Sequence, residues 1–220
     1  MSNVLLGVTG SVAAIRTPQL FRSLRELGHE VKIVATNAST YFFRADEIGL
    51  ISDGQRDRAA LILDEDEWPG RGSGKQYERG DPVLHIELRR WADLFLIAPL
   101  DANTLAKFSA GICDNCLTCV WRAWDQNRPV MLAPAMNTMM WEHRLTCRHL
   151  RAIAEDAGIS ELKWELDADA LIAEINRRGR HLHIIPPIRK GLACGDVGIG
   201  AMAEVDAIIA AVQHVLASAS

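Results

Sequence analysis

Short apolar runs alternate along the chain with segments whose apolar positions recur at helical spacing, and that alternation predicts an α/β protein built on a parallel sheet. Val4–Val8 reads as the first strand. A helix from about Ser11 to Leu27 follows, with Leu20, Phe21, Leu24 and Leu27 on one face, and Gly28 is suited to end it. Further strands are expected at Val31–Ala35, Leu94–Ala98 and Val130–Ala133. Between Asp53 and Asp81 the chain turns polar and glycine-rich, which predicts a surface loop with at most one short strand, Leu61–Leu63. A charged helical segment, Asp167–Arg178, precedes an apolar run at His183–Ile188, a glycine-rich stretch at Gly191–Ala203 and a last helix over Val205–Leu216. The expectation is one doubly wound domain over residues 1–220, with the segment near 160–182 a candidate protrusion.

Composition narrows the function classes more than the fold. The chain has 220 residues, 49% hydrophobic and 24% charged, enough for one well-buried core. Its net charge of −4 gives no reason to expect nucleic acid or an anionic membrane as partner. No apolar run approaches the roughly 18 residues of a membrane span. Met1-Ser2-Asn3-Val4 has no basic leader region, so no signal peptide is expected. Five cysteines, an odd number, suit reduced thiols in the cytoplasm better than a disulfide framework.

Ligands of open parallel sheets bind at the carboxyl ends of the strands. Four strand ends here carry small and polar residues: Gly7-Val8-Thr9-Gly10-Ser11-Val12-Ala13, Thr36-Asn37-Ala38-Ser39, Pro99-Leu100-Asp101-Ala102-Asn103-Thr104 and Pro134-Ala135-Met136-Asn137-Thr138. Glycine, serine and free N–H groups at a helix start favour an anion. A dinucleotide fingerprint is absent, and Thr36-Asn37 stands where a ribose-binding acid would be expected, so a phosphate-bearing mononucleotide fits better than NAD. Helix capping alone explains one of Asp101, Asn103 and Thr104, and it is also the plain reading of Asn137. Three polar groups at one strand end, mirrored at the next, favour a ligand.

Other motifs carry less. Gly74-Lys75 resembles the end of a P-loop, but Pro69 replaces the first glycine and Gln76 the hydroxyl. Cys113-x-x-Cys116-x-x-Cys119 spreads its thiols along a helix with no fourth partner at suitable spacing, so packing is favoured over a metal. Trp121, Trp124 and Trp141 read as core or subunit-interface anchors.

Four motifs then resemble one family in order. They are Gly7 to Ala14, Leu84-His85-Ile86-Glu87-Leu88-Arg89-Arg90-Trp91-Ala92-Asp93, Ala133 to Trp141, and Ala193-Cys194-Gly195-Asp196-Val197-Gly198-Ile199-Gly200-Ala201-Met202-Ala203-Glu204. Together they resemble the homo-oligomeric flavin-containing cysteine decarboxylases, from Val4 to about Leu216. The resemblance implies a flavodoxin-like fold and a homotrimer with FMN and active site at the subunit interface. It implies a carboxy-lyase acting on 4′-phosphopantothenoylcysteine in coenzyme A biosynthesis. In that chemistry the CH₂–SH end is first oxidised to a thioaldehyde at the expense of FMN, CO₂ leaves as an enethiolate forms, and re-reduction gives 4′-phosphopantetheine.

By resemblance, Gly10, Ser11, Val12, Ala13, Thr36, Asn37, Ala38, Ser39, Asp101, Ala102, Asn103, Thr104 and Ala135 hold the cofactor. His85 is the base, a role that suits an imidazole near neutral pH, although a packing role on its helix is the plain alternative. Asn137 holds substrate carboxylate and amide, with Ala193, Met202 and Arg90 also at the substrate. Cys194 is the proton donor. Glycines at 191, 195, 198 and 200 suggest a flap that holds no rigid element. Two departures stand out: the segment from Ser160 to Leu182, expected as an extra amphipathic helix, and Gly191 where plant members carry a basic residue. Decarboxylation of a peptide's C-terminal cysteine, flavin prenylation, and a regulatory subunit binding a protein phosphatase are the alternatives. The Pro134–Trp141 motif argues against the first two, and the retained catalytic residues with no acidic tail against the third.

Overall fold

The computed structural model describes residues 1–51, 54–68, 70–191 and 197–218. A six-stranded sheet, all parallel, runs through the centre: β1 (Asn3–Val8), β2 (Glu30–Ala35), β3 (Leu61–Leu63), β4 (Leu94–Leu100), β5 (Val130–Pro134) and β6 (Leu182–Ile184). Their spatial order is β3-β2-β1-β4-β5-β6. Without the three-residue edge strand β3 this is the 2-1-3-4-5 order of flavodoxin-like proteins, with the switch point between β1 and β4.

Alternation along each strand divides the core into two layers. Val4, Leu6, Val8, Ile33, Leu94 and Leu96 face α1 (Thr17–Glu26) and, later in the chain, the C-terminal helix. Leu5, Phe95, Ile97 and Leu132 face α2 (Leu84–Trp91), α3 (Ala102–Ala110), α4 (Cys116–Arg122) and α6 (Arg144–Asp156), which follows the short α5 (Thr138–Trp141). Side chains at successive strand positions point to opposite faces, so one apolar run feeds both layers. The helix expected from Ser11 opens instead as a 3₁₀ turn, Val12–Arg16, before α1, and Gly28 follows it with φ of +83°.

The segment expected to protrude does not. A helix is present there, α7 (Ala168–Arg178), with its N-terminus capped by Asp167, whose carboxylate accepts from the Ala170 N–H at 2.8 Å. Leu171, Ile172 and Ile175 are buried in the main core, each worth roughly 1.5–3 kcal/mol of burial. α7 therefore belongs to the crossover that leads into β6. Helical periodicity marks an amphipathic face but not what the face covers.

The glycine-rich stretch also differs from expectation. β7 (Ile188–Gly191) and β8 (Val197–Ala201) pair as the antiparallel strands of a hairpin, and residues 192–196 lie outside the described residues. α8 (Val205–Ser218) closes the chain. Trp141 is core, Trp121 stacks on Phe108 at 4.1 Å between centroids, and Trp124 lies 5.2 Å from Phe95. Cys116 is fully buried among core side chains, which supports packing as its role. No described helix is long and apolar enough to cross a membrane.

Candidate active site

The carboxyl ends of β1, β2 and β4 are tied together at the switch point. Thr9, fully buried, donates its hydroxyl to the Pro99 carbonyl at 2.9 Å and accepts from the Asp101 N–H at 2.7 Å. Its own N–H reaches the same carbonyl at 3.3 Å. Gly10 follows, and a Cβ there would lie 2.7 Å from the Ala38 Cβ and 3.3 Å from an Asp101 carboxylate oxygen. Three strand ends thus approach within a space that admits no side chain at residue 10.

The polar residues around this cradle are partly used by the protein itself. Asp101 caps α3 through the Thr104 N–H at 2.7 Å, as the plain reading of its position requires. Ser39 donates to the Thr36 carbonyl at 2.7 Å, and the Asn37 N–H donates to Asp64 at 3.1 Å. The Thr36 hydroxyl is different: it is buried with no hydrogen-bond partner among the described residues. A buried hydroxyl without a partner is costly, and a bound ligand would supply one. Asn103 and Ala38 are exposed, Ala102 is half-buried, and Thr104 is buried beneath the start of α3.

Next to the cradle lies a cleft of about 370 Å³. It brings together Ser11, Val12 and Ala13 after β1, Ala135 and Asn137 after β5, and Met202 after β8. Ser11 caps its turn, its hydroxyl accepting from the Ala13 N–H at 3.4 Å. Asn137 lines the cleft and also caps α5, its Oδ1 accepting from Met139 N–H at 2.8 Å and Met140 N–H at 3.3 Å. Its two readings are therefore compatible.

The hairpin closes one wall. Met136 N–H donates to the Gly200 carbonyl at 2.9 Å, and Gly200 adopts φ of +130°. A Cβ at Gly200 would overlap the Met136 carbonyl oxygen, and one at Gly198 would overlap the Thr138 side chain. These glycines serve close approach to the loop after β5, where the sequence suggested only looseness. Lys190 and Glu204, joined at 2.6 Å, and Ile15 and Arg16 line the cleft too. Sequence reasoning missed all four, although Lys190 adjoins the flagged Gly191. Lys190 holds the Glu204 carboxyl below the usual carboxylate range. Cys194 and Ala193 lie outside the described residues.

His85 and Arg90 do not line this cleft. His85 sits in the first turn of α2 with Nδ1 2.5 Å from Oε1 of Glu67, a carboxylate that no sequence motif marked. Glu67 and its neighbour Asp66 are buried, so the polar loop that carries them is not wholly a surface feature. Arg89 is committed to the Ala123 carbonyl at 3.1 Å, whereas the Arg90 side chain is exposed.

Comparisons with known proteins return the same fold and a family. The flavoprotein family profile matches residues 1–217. The chain belongs to the flavoprotein family. The flavoprotein is 45% identical over 214 residues to phosphopantothenoylcysteine decarboxylase of Mus musculus, covering 97% of this chain and 86% of that one. It is 46% identical over 210 residues to the enzyme of that name from Oryza sativa subsp. japonica, covering 96% and 79%. Among solved structures, a cysteine-to-serine mutant of PPC decarboxylase complexed with pantothenoylaminoethenethiol superposes with a TM-score of 0.73 at 42% identity, covering 96% of each chain. The FMN-binding protein AtHal3 gives 0.72 at 42% identity, covering 99% and 97%.

Proposed function

We propose that this flavoprotein is an FMN-dependent phosphopantothenoylcysteine decarboxylase, converting 4′-phosphopantothenoylcysteine to 4′-phosphopantetheine and CO₂ in coenzyme A biosynthesis, in the cytoplasm. The observation that carries the reading is the joining of Ser11, Ala135, Asn137 and Met202 around one cleft beside the Gly10 cradle, in a chain alike over nearly its whole length to enzymes of that activity.

The residues fit FMN. The Gly10 position brings the ends of three strands together at the cleft, the Thr36 hydroxyl wants a partner, and Ser11 to Ala13 line the cleft with a hydroxyl and apolar contact. Bound FMN supplies two-electron exchange at the CH₂–SH carbon of the substrate, making that carbon an electron sink for the departing carboxylate. The remaining work falls to the chain. Asn137 lines the cleft while its Oδ1 caps α5, and it holds the substrate carboxylate and amide. His85 takes a proton at Nε2, because Nδ1 faces Glu67. Cys194 returns a proton after CO₂ leaves, and the hairpin over Met202 keeps water away. Arg90, exposed where Arg89 is committed to the Ala123 carbonyl, is the guanidinium of the pair that serves substrate or cofactor.

The reading includes a homotrimer in which one copy's His85 serves a neighbour's cleft. Supporting it, His85 does not line its own chain's cleft, and Val12, Ile15, Met139 and Met140 are exposed at or beside it. The test incubates the purified protein with 4′-phosphopantothenoylcysteine and follows CO₂ and 4′-phosphopantetheine. Flavin absorbance near roughly 450 nm and product formation are expected. A colourless protein, or no product from flavin-loaded protein, rejects the reading. Undiminished turnover after Cys194→Ser removes that residue from its role. Light scattering gives the assembly, and mixing inactive His85→Gln and Cys194→Ser chains should restore activity if the site is shared.

A further inference from the structure

Glu67 is the most buried carboxylate among the described residues, at 3% exposed, and among those residues its ion pair is with His85 and not with Arg or Lys. Its neighbour Asp66 is held by Arg56 at 2.7 Å and lies 3.5 Å from Arg58. Glu67 has Oε1 against Nδ1 of His85 at 2.5 Å, and the weak Cys116 thiol donor is the other hydrogen bond to the carboxylate, whose buried Oε2 meets no N–H or O–H donor among the described residues. Burying a carboxylate away from Arg or Lys is costly, so a partner that needs the charge is the natural reason to keep it.

The groups around the pair are acids and thiols rather than cations. Asp64 lies on the same loop and is pushed up chiefly by burial. From α4, which packs on α2, the Cys116 thiol is pushed up by burial first and by its hydrogen bond to Glu67 next, and the Cys119 thiol by burial first and by the charge of Glu67 next. Lys107 and Asp114 pair with each other at 2.7 Å and act on Asp64. None of these competes with His85 as a strong donor to Glu67. A carboxylate accepts and does not donate, so in a carboxylate–imidazole pair of this geometry the shared proton belongs to Nδ1.

We propose that Glu67 is a positioning residue for His85: its buried carboxylate accepts the Nδ1–H, fixes the ring's orientation and holds the tautomer whose Nε2 lone pair is free to take a proton. The imidazole of a general base must present the correct nitrogen, and a carboxylate behind it is how that choice is made. The polar glycine-rich loop then has a task beyond connection, since it carries the carboxylate into contact with α2. The proposal rests on the reading of His85 as the base.

The test separates the two ideas. In flavin-loaded protein labelled with ¹⁵N-histidine, with His85 assigned by its loss in His85→Gln, the neutral ring should be protonated at Nδ1. An Nε2-protonated ring overturns the proposal without reference to activity. Glu67→Gln keeps the volume but removes the charge and adds an N–H₂ that can donate to Nδ1, so either tautomer can be held. It should lower kcat at least about tenfold while KM stays within about twofold and flavin content is unchanged. Wild-type kcat in flavin-loaded Glu67→Gln also overturns it. If that variant folds poorly, the ¹⁵N spectrum of the unmutated protein still decides. Full activity in His85→Gln, in contrast, rejects the base reading alone, and the spectrum continues to report whether Glu67 holds the ring.

Discussion

The hydroxyl of Thr9 accepts from the Asp101 N–H at 2.7 Å and donates to the Pro99 carbonyl at 2.9 Å, so one buried side chain joins the loops after β1 and β4. These are the two strands that flank the switch point. Thr9→Val keeps the shape but strands the Asp101 N–H. It should destabilise the fold by about 1–3 kcal/mol in urea titration and loosen flavin retention. Stability equal to wild type would mean the bond is replaced by solvent.

Gly10→Ala tests the cradle directly. The new Cβ would meet Ala38 at 2.7 Å, too close for two carbons, so one of the three strand ends must move. The expected outcome is a folded protein with near-normal circular dichroism and reduced flavin content. Full flavin occupancy would place the cofactor elsewhere.

Gly200→Ala acts on the hairpin instead. Both its φ of +130° and the overlap with the Met136 carbonyl oxygen oppose a side chain. Steady-state kinetics should show a raised KM as the wall over the cleft shifts, with flavin content retained, because the Gly10 cradle is untouched. An unchanged KM would remove the hairpin from substrate binding.

Arg151 is 4% exposed and holds three carbonyls: Leu162 at 3.1 Å, Trp164 at 3.1 Å and Leu166 at 3.2 Å. It thereby fixes the chain leading into α7. Arg151→Met leaves those carbonyls unpaired and should cost about 3 kcal/mol or more, read as a lower urea midpoint. Arg151→Lys should rescue little, since an ammonium cannot span the fork.

Burial pushes the Cys119 thiol up to about 11 and that of Cys116 higher still. The reactive thiolate is therefore scarce at both near pH 8. Iodoacetamide followed by peptide mass spectrometry should label exposed Cys113 before either. A thiol raised on folding contributes stability below its ordinary value and loses it as pH rises. The protein should accordingly weaken between pH 9 and about 11, with Cys119 labelling appearing over the same range. Rapid labelling of Cys119 at pH 8 would contradict its burial.

The strand ends were legible because a parallel strand buried on both faces must be apolar, so the polar residues after it mark where the sheet stops. β3 was legible at its full length for the same reason, even inside a polar loop. α7 was legible as an amphipathic helix but not as part of the core, since periodicity says that a face is apolar and not what covers it. The hairpin was misread for a related reason. Glycines permit both looseness and close contact, and only the positions of Met136 and Thr138 against Gly200 and Gly198 decide between them.

What the sequence by itself determined was the class of sheet, the set of strand ends that carry polar groups, and the chemistry available at His85, Asn137 and Cys194. The tertiary structure decided which of those groups meet. It joined Ser11, Ala135, Asn137 and Met202 around one cleft, kept His85 out of it, and brought Glu67 from a polar loop to the imidazole 18 residues on. No local pattern encodes that last contact. Periodicity and capping report interactions within a turn or two of the chain, whereas a carboxylate and an imidazole meet only when packing brings α2 and the loop after β3 together.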